Sequence, residues 1–428
     1  MQKTIWLASL LLSSTLLVAA CGGGSDRTKA QVRLVNASGG YAQLDLRVDG
    51  QVRQGGVAYG ATSTYAEVDP DDADTEINAA NSPTPLLSFT PAVSKDRYYT
   101  VLAFGEAGAL RQALLDDNVS EPADNRALLR VVNGASDAGA VDIYLTGSND
   151  TLQASVPVQS SAAYGTVGGW ITVNSATWRL RVTAAGSKTD VRLDLPAVSL
   201  PSRHISTLVI TPGGGGLLVN GLLLAQRNSI TRADNTQARV RLAAGASNLG
   251  SVALTIGGTV LATAQPSPTV GEYQLVAAGT PTVTAAVNGS ALTVPAPPPL
   301  VPGRDYTLLV AGDPAAARAT WIADDNKVAS DSSRARLRLV NGLAEATPLL
   351  SMSLGLLPVA DGVPNGAGSV PLAVTASTTT DLTVTATASG ASSTLAVLDD
   401  RTLRAGGVYT VFVLGAQAAP RVDLVQDR

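Results

Sequence analysis

The chain has 428 residues, a formal net charge of −4, 15% charged and 4% aromatic side chains. A balance this mild gives no electrostatic basis for binding nucleic acid or anionic lipid. One cysteine and one histidine exclude internal disulfides, nitrogen–sulfur zinc sites and cysteine nucleophiles.

The amino-terminal segment follows a processing pattern. Lys3 precedes an apolar run over residues 5–20, too short to span a bilayer comfortably and ending in small residues, as a secretory signal does. Val18-Ala19-Ala20-Cys21 resembles the lipobox of bacterial lipoproteins. The resemblance implies cleavage after residue 20, a diacylglyceryl group on Cys21 and a short tether over residues 21–29. In the usual Gram-negative sorting pattern, the absence of Asp after Cys21 implies the outer membrane. The membrane partner is thus reached through an amino-terminal lipid, and two or more acyl chains anchor stably.

Beyond the tether one phrase recurs. Val32 to Asn36 reads VRLVN, Leu129 to Asn133 LRVVN, Val240 to Ala244 VRLAA, and Leu337 to Asn341 LRLVN. The arginines, Arg33, Arg130, Arg241 and Arg338, lie 97, 111 and 97 residues apart, a step the size of a small domain. Four repeats are expected, over residues 30–118, 127–228, 237–326 and 335–428. In the first, Leu44, Leu46 and Val48 alternate with Asp45, Arg47 and Asp49 before an Asp49-Gly50 turn. Val141, Ile143 and Leu145, then Val252, Leu254 and Ile256, then Leu350, Met352 and Leu354 repeat that alternation. A tyrosine segment follows at Tyr65, Tyr164 and Tyr273. The late strand, such as residues 99–104 or 409–414, is apolar on both parities and reads as covered on both sides. The pattern predicts an all-β chain: four tandem immunoglobulin-like β-sandwiches of about seven strands, almost without helix, after a lipoprotein signal peptide. The regular junctions suggest an extended string, with folding back as the other possibility.

These residues resemble a bacterial envelope family, domain of unknown function 4397. The shared marks are R-[LV]-V-N-[AG], V-D-[IL], a glycine-bounded Y-T-V strand and a closing D-N. The match is best in the first two repeats, where Asp45 and Asp142 agree, and weaker where Ala244, Ala253 and Ser351 depart. It implies an immunoglobulin-like fold, secretion or lipid anchoring and tandem arrangement, and it supplies no catalytic residues.

Candidate chemistry is sparse. Asp116, Asp117 and Asp124 at one junction, and Asp324, Asp325 and Asp331 at another, are hard oxygen ligands and weak calcium candidates. Turn and strand-end solvation explains them as well. His204 enters an apolar strand in one repeat only. Trp170, Trp178 and Trp321 fit core packing or a sugar platform, and Gly213 to Gly216 a hairpin loop. Each recurring arginine either presents a cation to an anionic polymer or sits on the outer face of the first strand, paired across strands or toward the linker. The second reading is favoured, with Asp45 and Asp142 as partners in two repeats only. No cofactor and no catalytic set are expected. The sequence therefore points to a non-enzymatic, lipid-anchored envelope protein that binds or adheres to glycan or protein. Its alternatives are a stalk without a ligand and, more remotely, a polysaccharide hydrolase.

Overall fold

A computed structural model describes residues 28–70, 73–247 and 250–428. The signal segment, Cys21 and most of the tether lie outside the described residues. The first repeat contains β1 (Ala30–Asn36), β2 (Gln43–Val48), β3 (Gln51–Ala58), β4 (Ala66–Val68), β5 (Thr75–Ala79), β6 (Pro85–Phe89), β7 (Tyr98–Phe104) and β8 (Arg111–Asp116). Two four-stranded sheets, β4-β1-β7-β8 and β3-β2-β5-β6, stack face to face. The architecture is the expected tandem sandwich, with eight strands in repeats 1 and 4 and nine in repeats 2 and 3 instead of about seven. β1 and β7 pair in parallel, as do their counterparts in every later repeat. Among the described residues the one helical turn is a 3-10 turn at Pro314–Ala316. Repeat 2 adds a fifth strand to its first sheet, Ile230–Ala233, beyond the boundary expected at residue 228.

Alternation explains the cores. In repeat 1, Val32 and Leu34 of β1, Leu44, Leu46 and Val48 of β2, and Val101 and Ala103 of β7 face inward and are buried together. The other three repeats each bury an equivalent cluster.

Three polar residues recur, each in two or three of the four sandwiches, and tie their strands together. Buried Asn36 donates from Nδ2 to the carbonyls of Tyr41 and Val57 and accepts from the Ser38 amide, tying β1 to the opposite sheet. Asn133 and Asn341 repeat this arrangement. Repeat 3, with Ala244, substitutes a Ser267 hydroxyl that donates to the Ala246 carbonyl. Asp45 and Asp142 sit where the β2–β3 pairing slips register, and each carboxylate accepts one backbone amide at the slip, from Gly56 or Ser161, and one from the neighbouring hairpin turn, from Asn81 or Gly186. Tyr99, Tyr306 and Tyr409 accept, at the hydroxyl, the amide five residues upstream, closing the turn into β7 and its counterparts.

The repeats are not strung out. Of the two arrangements the junctions left open, the chain folds back: repeats 1 and 2 pack through the outer faces of their β1–β7 sheets, and repeats 3 and 4 do the same. Val35, Leu102, Phe104 and Leu115 meet Val132, Val209, Leu222 and Leu224 in the first pair. Ala243, Leu309 and Ile322 meet Val340, Phe412 and Leu414 in the second. This covers the second side of the doubly apolar late strand. The residue four beyond each recurring arginine is small: Ala37, Gly134, Gly245 and Gly342. A Cβ on Gly245 would lie 2.8 Å from the Gly342 carbonyl oxygen of the facing repeat.

Gly245→Val should therefore wedge repeats 3 and 4 apart and cost about 1–3 kcal/mol in urea denaturation. Gly39→Ala, whose added Cβ meets nothing within 4 Å, should stay within about 0.5 kcal/mol of the parent.

Candidate functional site

Every residue in the motif's outward phase lies in a repeat–repeat interface, and the four recurring arginines are buried there, 1–6% exposed. They occupy the outer face of the first strand, as favoured from sequence, but a neighbouring repeat covers that face. Their carboxylate partners are not Asp45 and Asp142, which are held by backbone amides. The carboxylates facing Arg33, Arg241 and Arg338 are Asp117, Asp427 and Asp324, at or just beyond the end of β8 and its counterparts.

Between repeats 3 and 4 six side chains form a closed ring. Arg241 donates from Nε to Thr307 Oγ1 (2.9 Å) and from Nη1 to Asp427 of the facing repeat. Arg338 donates from Nε to Thr410 Oγ1 (2.8 Å) and from Nη2 to Asp324 Oδ1 (2.7 Å). Thr307 and Thr410 close the ring by donating to Asp324 and Asp427. Each guanidinium thus holds its own repeat's threonine and the other repeat's aspartate, and the ring is neutral. Tyr273 donates to Asp324 Oδ2 (2.6 Å), and its ring centroid lies 4.3 Å from the Arg241 guanidinium carbon. Burial alone would raise the Asp324 pKa, but Arg338 and Arg241 outweigh it and hold the carboxyl below its usual range. Burial with the nearby Asp324 carboxylate pushes the Tyr273 phenol up.

The pair formed by repeats 1 and 2 is an open version. Arg33 donates to Thr100 Oγ1 (2.8 Å), which donates to Asp117, and Tyr65 donates to the same carboxylate (2.7 Å). Gln226 stands where Asp427 stands in the other pair and bonds the Val119 backbone instead. Arg33 turns to the carbonyls of Asn228 (2.6 Å) and Ala225 (3.3 Å). Arg130 donates to Thr207 (2.7 Å) and lies 4.4 Å over the Trp170 ring. Burial lowers its pKa, against the pull of Asp117. Trp170, not Tyr164, is therefore the counterpart of Tyr65 and Tyr273. Tyr164 packs edge-on against Phe104, centroids 5.8 Å apart.

Other sequence candidates are dispersed. Asp117 and Asp324 belong to these networks, Asp116 faces Arg97 (2.7 Å), and Asp124 faces Arg203 (3.5 Å). Asp325 faces Arg336 (2.7 Å) and Asp331 faces Arg334 (3.6 Å). No three acidic, histidine or cysteine side chains converge on one point among the described residues. His204 is half-buried, which lowers its pKa, and no carboxylate accepts from its ring among the described residues. Trp321 packs on the core of repeat 3, and Trp178 at the core edge of repeat 2. Gly213 to Gly216 form the hairpin loop expected, and it packs directly on Gly303, Arg304 and Asp305 of repeat 3.

The concave surfaces of the described residues include two that bear on function. A groove of about 720 Å³ where repeats 2, 3 and 4 meet is lined by Arg192, Arg239, Arg241, Tyr273 and Arg428. A cleft of about 540 Å³ belongs to repeat 2 alone and is lined by Thr146, Asn149, Asp150, Thr151, Val156 and Trp178 among others.

A family model described as domain of unknown function (DUF4397) matches residues 30–144 and 238–352, together more than half of the chain. No curated protein matches it. Among solved structures, the chain is similar to a family 26 carbohydrate-binding module of Eubacterium rectale Amy13K in complex with maltoheptaose. That alignment has 13% identity and a TM-score of 0.17, over 48% of this chain and 97% of the module. It is also similar to a candidate cell adhesion protein from Bacteroides ovatus, at 9% identity and TM-score 0.13, over 71% and 97% of the two chains. Scores this low carry no functional argument.

Removing one member of the closed ring leaves an opposite charge buried without its partner. Arg338→Ala should cost about 3–5 kcal/mol of stability in denaturant titration. Asp324 has a depressed folded pKa, so its contribution is complete above the unfolded carboxylate value, about 3.9, and is lost as pH falls through the lower folded one. A urea midpoint followed from pH 6 to pH 2 should fall below about pH 4, and less steeply in Asp324→Asn.

Proposed function

Because this chain belongs to the family described as domain of unknown function DUF4397, we propose that it is a non-enzymatic binding protein of the cell envelope. In this reading Cys21 carries the lipid that holds it to the outer membrane of a Gram-negative bacterium, and its partners are envelope glycan or protein, not nucleic acid. One observation carries the binding role: the polar residues that recur between repeats are consumed in holding sandwiches together or joining them in pairs. Asn36, Asp45, Tyr99, Thr100 and Arg33, with their counterparts, are engaged in contacts within the protein. A repeated catalytic set has no residues left to occupy, so function falls to surfaces that differ between copies.

The alternative of a spacer is less well served by this architecture. A stalk gains reach by stacking domains end to end, whereas face-to-face pairing uses two domains for each step. A hydrolase would need a deep pocket with two opposed carboxylates free to act; the repeat-2 cleft is lined by one, Asp150, and in the larger groove Asp190 is paired with Arg192 and Asp427 with Arg241.

Two measurements test the reading. Palmitate fed to growing cells should label the protein, and Cys21→Ala should abolish the label; persistent label on that variant rules the anchor out. The chain from Asp26 onward, screened against envelope glycans and purified envelope proteins, should bind at least one. A complete absence of binding would return the protein to the stalk reading.

A further inference from the structure

We infer that repeat 2 carries a binding site for a neutral sugar, in the cleft between its long β2–β3 connection and Trp178; this rests on the binding role proposed above. Elsewhere the connection is a two-residue turn: residues 49–50, 257–258 and 355–356. In repeat 2 it runs over residues 147–158. The sandwich does not need the extra chain, since the other three cores close without it.

The segment is held in one shape by cations of the neighbouring strand and hairpin. Arg181 donates to Thr146 Oγ1 (2.6 Å) and to the Asp150 carbonyl (2.9 Å), and Lys188 to the Gln153 carbonyl (2.9 Å). Arg179 reaches the Ser148 carbonyl (3.4 Å) while bound through two nitrogens to Asp194. Asp150 Oδ2 accepts the Gly147 amide (2.8 Å), the Ser155 hydroxyl donates to the Thr151 carbonyl (2.7 Å), and Leu152 is buried beneath. A loop fixed in advance loses little entropy when it binds.

The cleft's chemistry selects the ligand. One wall is the Trp178 indole, whose Nε1 donates to the Asn174 carbonyl (3.1 Å), fixing the ring. Asn149 and Thr151 line the same cleft, are exposed, and make no side-chain hydrogen bond among the described residues. Only one oxygen of Asp150 is occupied, by the Gly147 amide. Neutral donors and acceptors, one carboxylate and an aromatic wall suit a molecule with an apolar face and a ring of hydroxyls, which is a pyranose. The nearby cations spend their charge on loop carbonyls and Asp194, so nothing in the cleft calls for an anion. The volume of about 540 Å³ falls within the roughly 300–1,000 Å³ usual for small-ligand sites.

The test is calorimetric titration of the chain from Asp26 onward with hexamers of β-1,4-glucose, α-1,4-glucose, β-1,4-mannose and N-acetylglucosamine, and with hexagalacturonate as the acidic counterpart. At least one neutral hexamer should bind and change tryptophan fluorescence, and hexagalacturonate should not. Asn149→Ala combined with Thr151→Ala, both exposed, should leave the melting temperature unchanged and weaken binding about tenfold or more, the loss of two hydrogen bonds. If no neutral hexamer binds, or the double variant binds like the parent, the site is wrong. Binding of a glycan or envelope protein that the double variant retains sinks this site alone and leaves the binding role standing. Failure to bind any of them removes both.

Discussion

Two arginines and two aspartates buried together between repeats 3 and 4 constrain the rest of this molecule. Taking such charges out of water costs several kcal/mol per ion, about as much as good geometry returns. The ring is therefore a poor source of net stability. Its value is geometric. An apolar face such as Ala243, Leu309 and Ile322 can pack against its neighbour in many rotations. Arg241 reaches Asp427 while Arg338 reaches Asp324 in one. Any other pairing strands four charges in a dry interface, so the ring sets which faces meet and in what register.

The first pair shows what happens when a member is lost. With Gln226 in the aspartate's place, Arg33 falls back on the carbonyls of Asn228 and Ala225. More of the burden falls on apolar packing there, where Phe104, Leu102 and Leu115 lie against Leu222 and Leu224. The two pairs use one face and one motif with different balances of charge and hydrocarbon.

Much of this was legible in the sequence. Alternation located β2 and its counterparts, the Asp49-Gly50 turn was read correctly, and the late strand's apolar residues on both parities announced a second covering layer. That layer is a neighbouring repeat. The outward phase of β1 was also right, but an arginine on an outer face looks the same from sequence whether water or another domain lies above it. Asp117, Asp324 and Asp427 each lie 17 residues beyond the network threonine. That regular spacing was available, but it was masked by Asp45 and Asp142, which are nearer in sequence and serve a register slip instead. Tyr164 falls into the tyrosine segment with Tyr65 and Tyr273 in sequence, yet Trp170 is their counterpart, because the repeat-2 insertion shifts Trp170 out of the 32-residue spacing that separates Arg33 from Tyr65 and Arg241 from Tyr273. The cleft was hardest to foresee. Its lining residues come from two strands and a loop that only the folded sheet brings together.

Pairing of the repeats through buried charge is the central claim, and a double-mutant cycle between Arg241 and Asp427 tests it most directly. The two residues are 186 positions apart in different repeats. Stabilities of the parent, Arg241→Met, Asp427→Ala and the double variant give their coupling. The face-to-face arrangement requires a coupling of about 1.5 kcal/mol or more. Additivity within about 0.5 kcal/mol would mean that the two side chains do not meet and that the repeats are not paired this way.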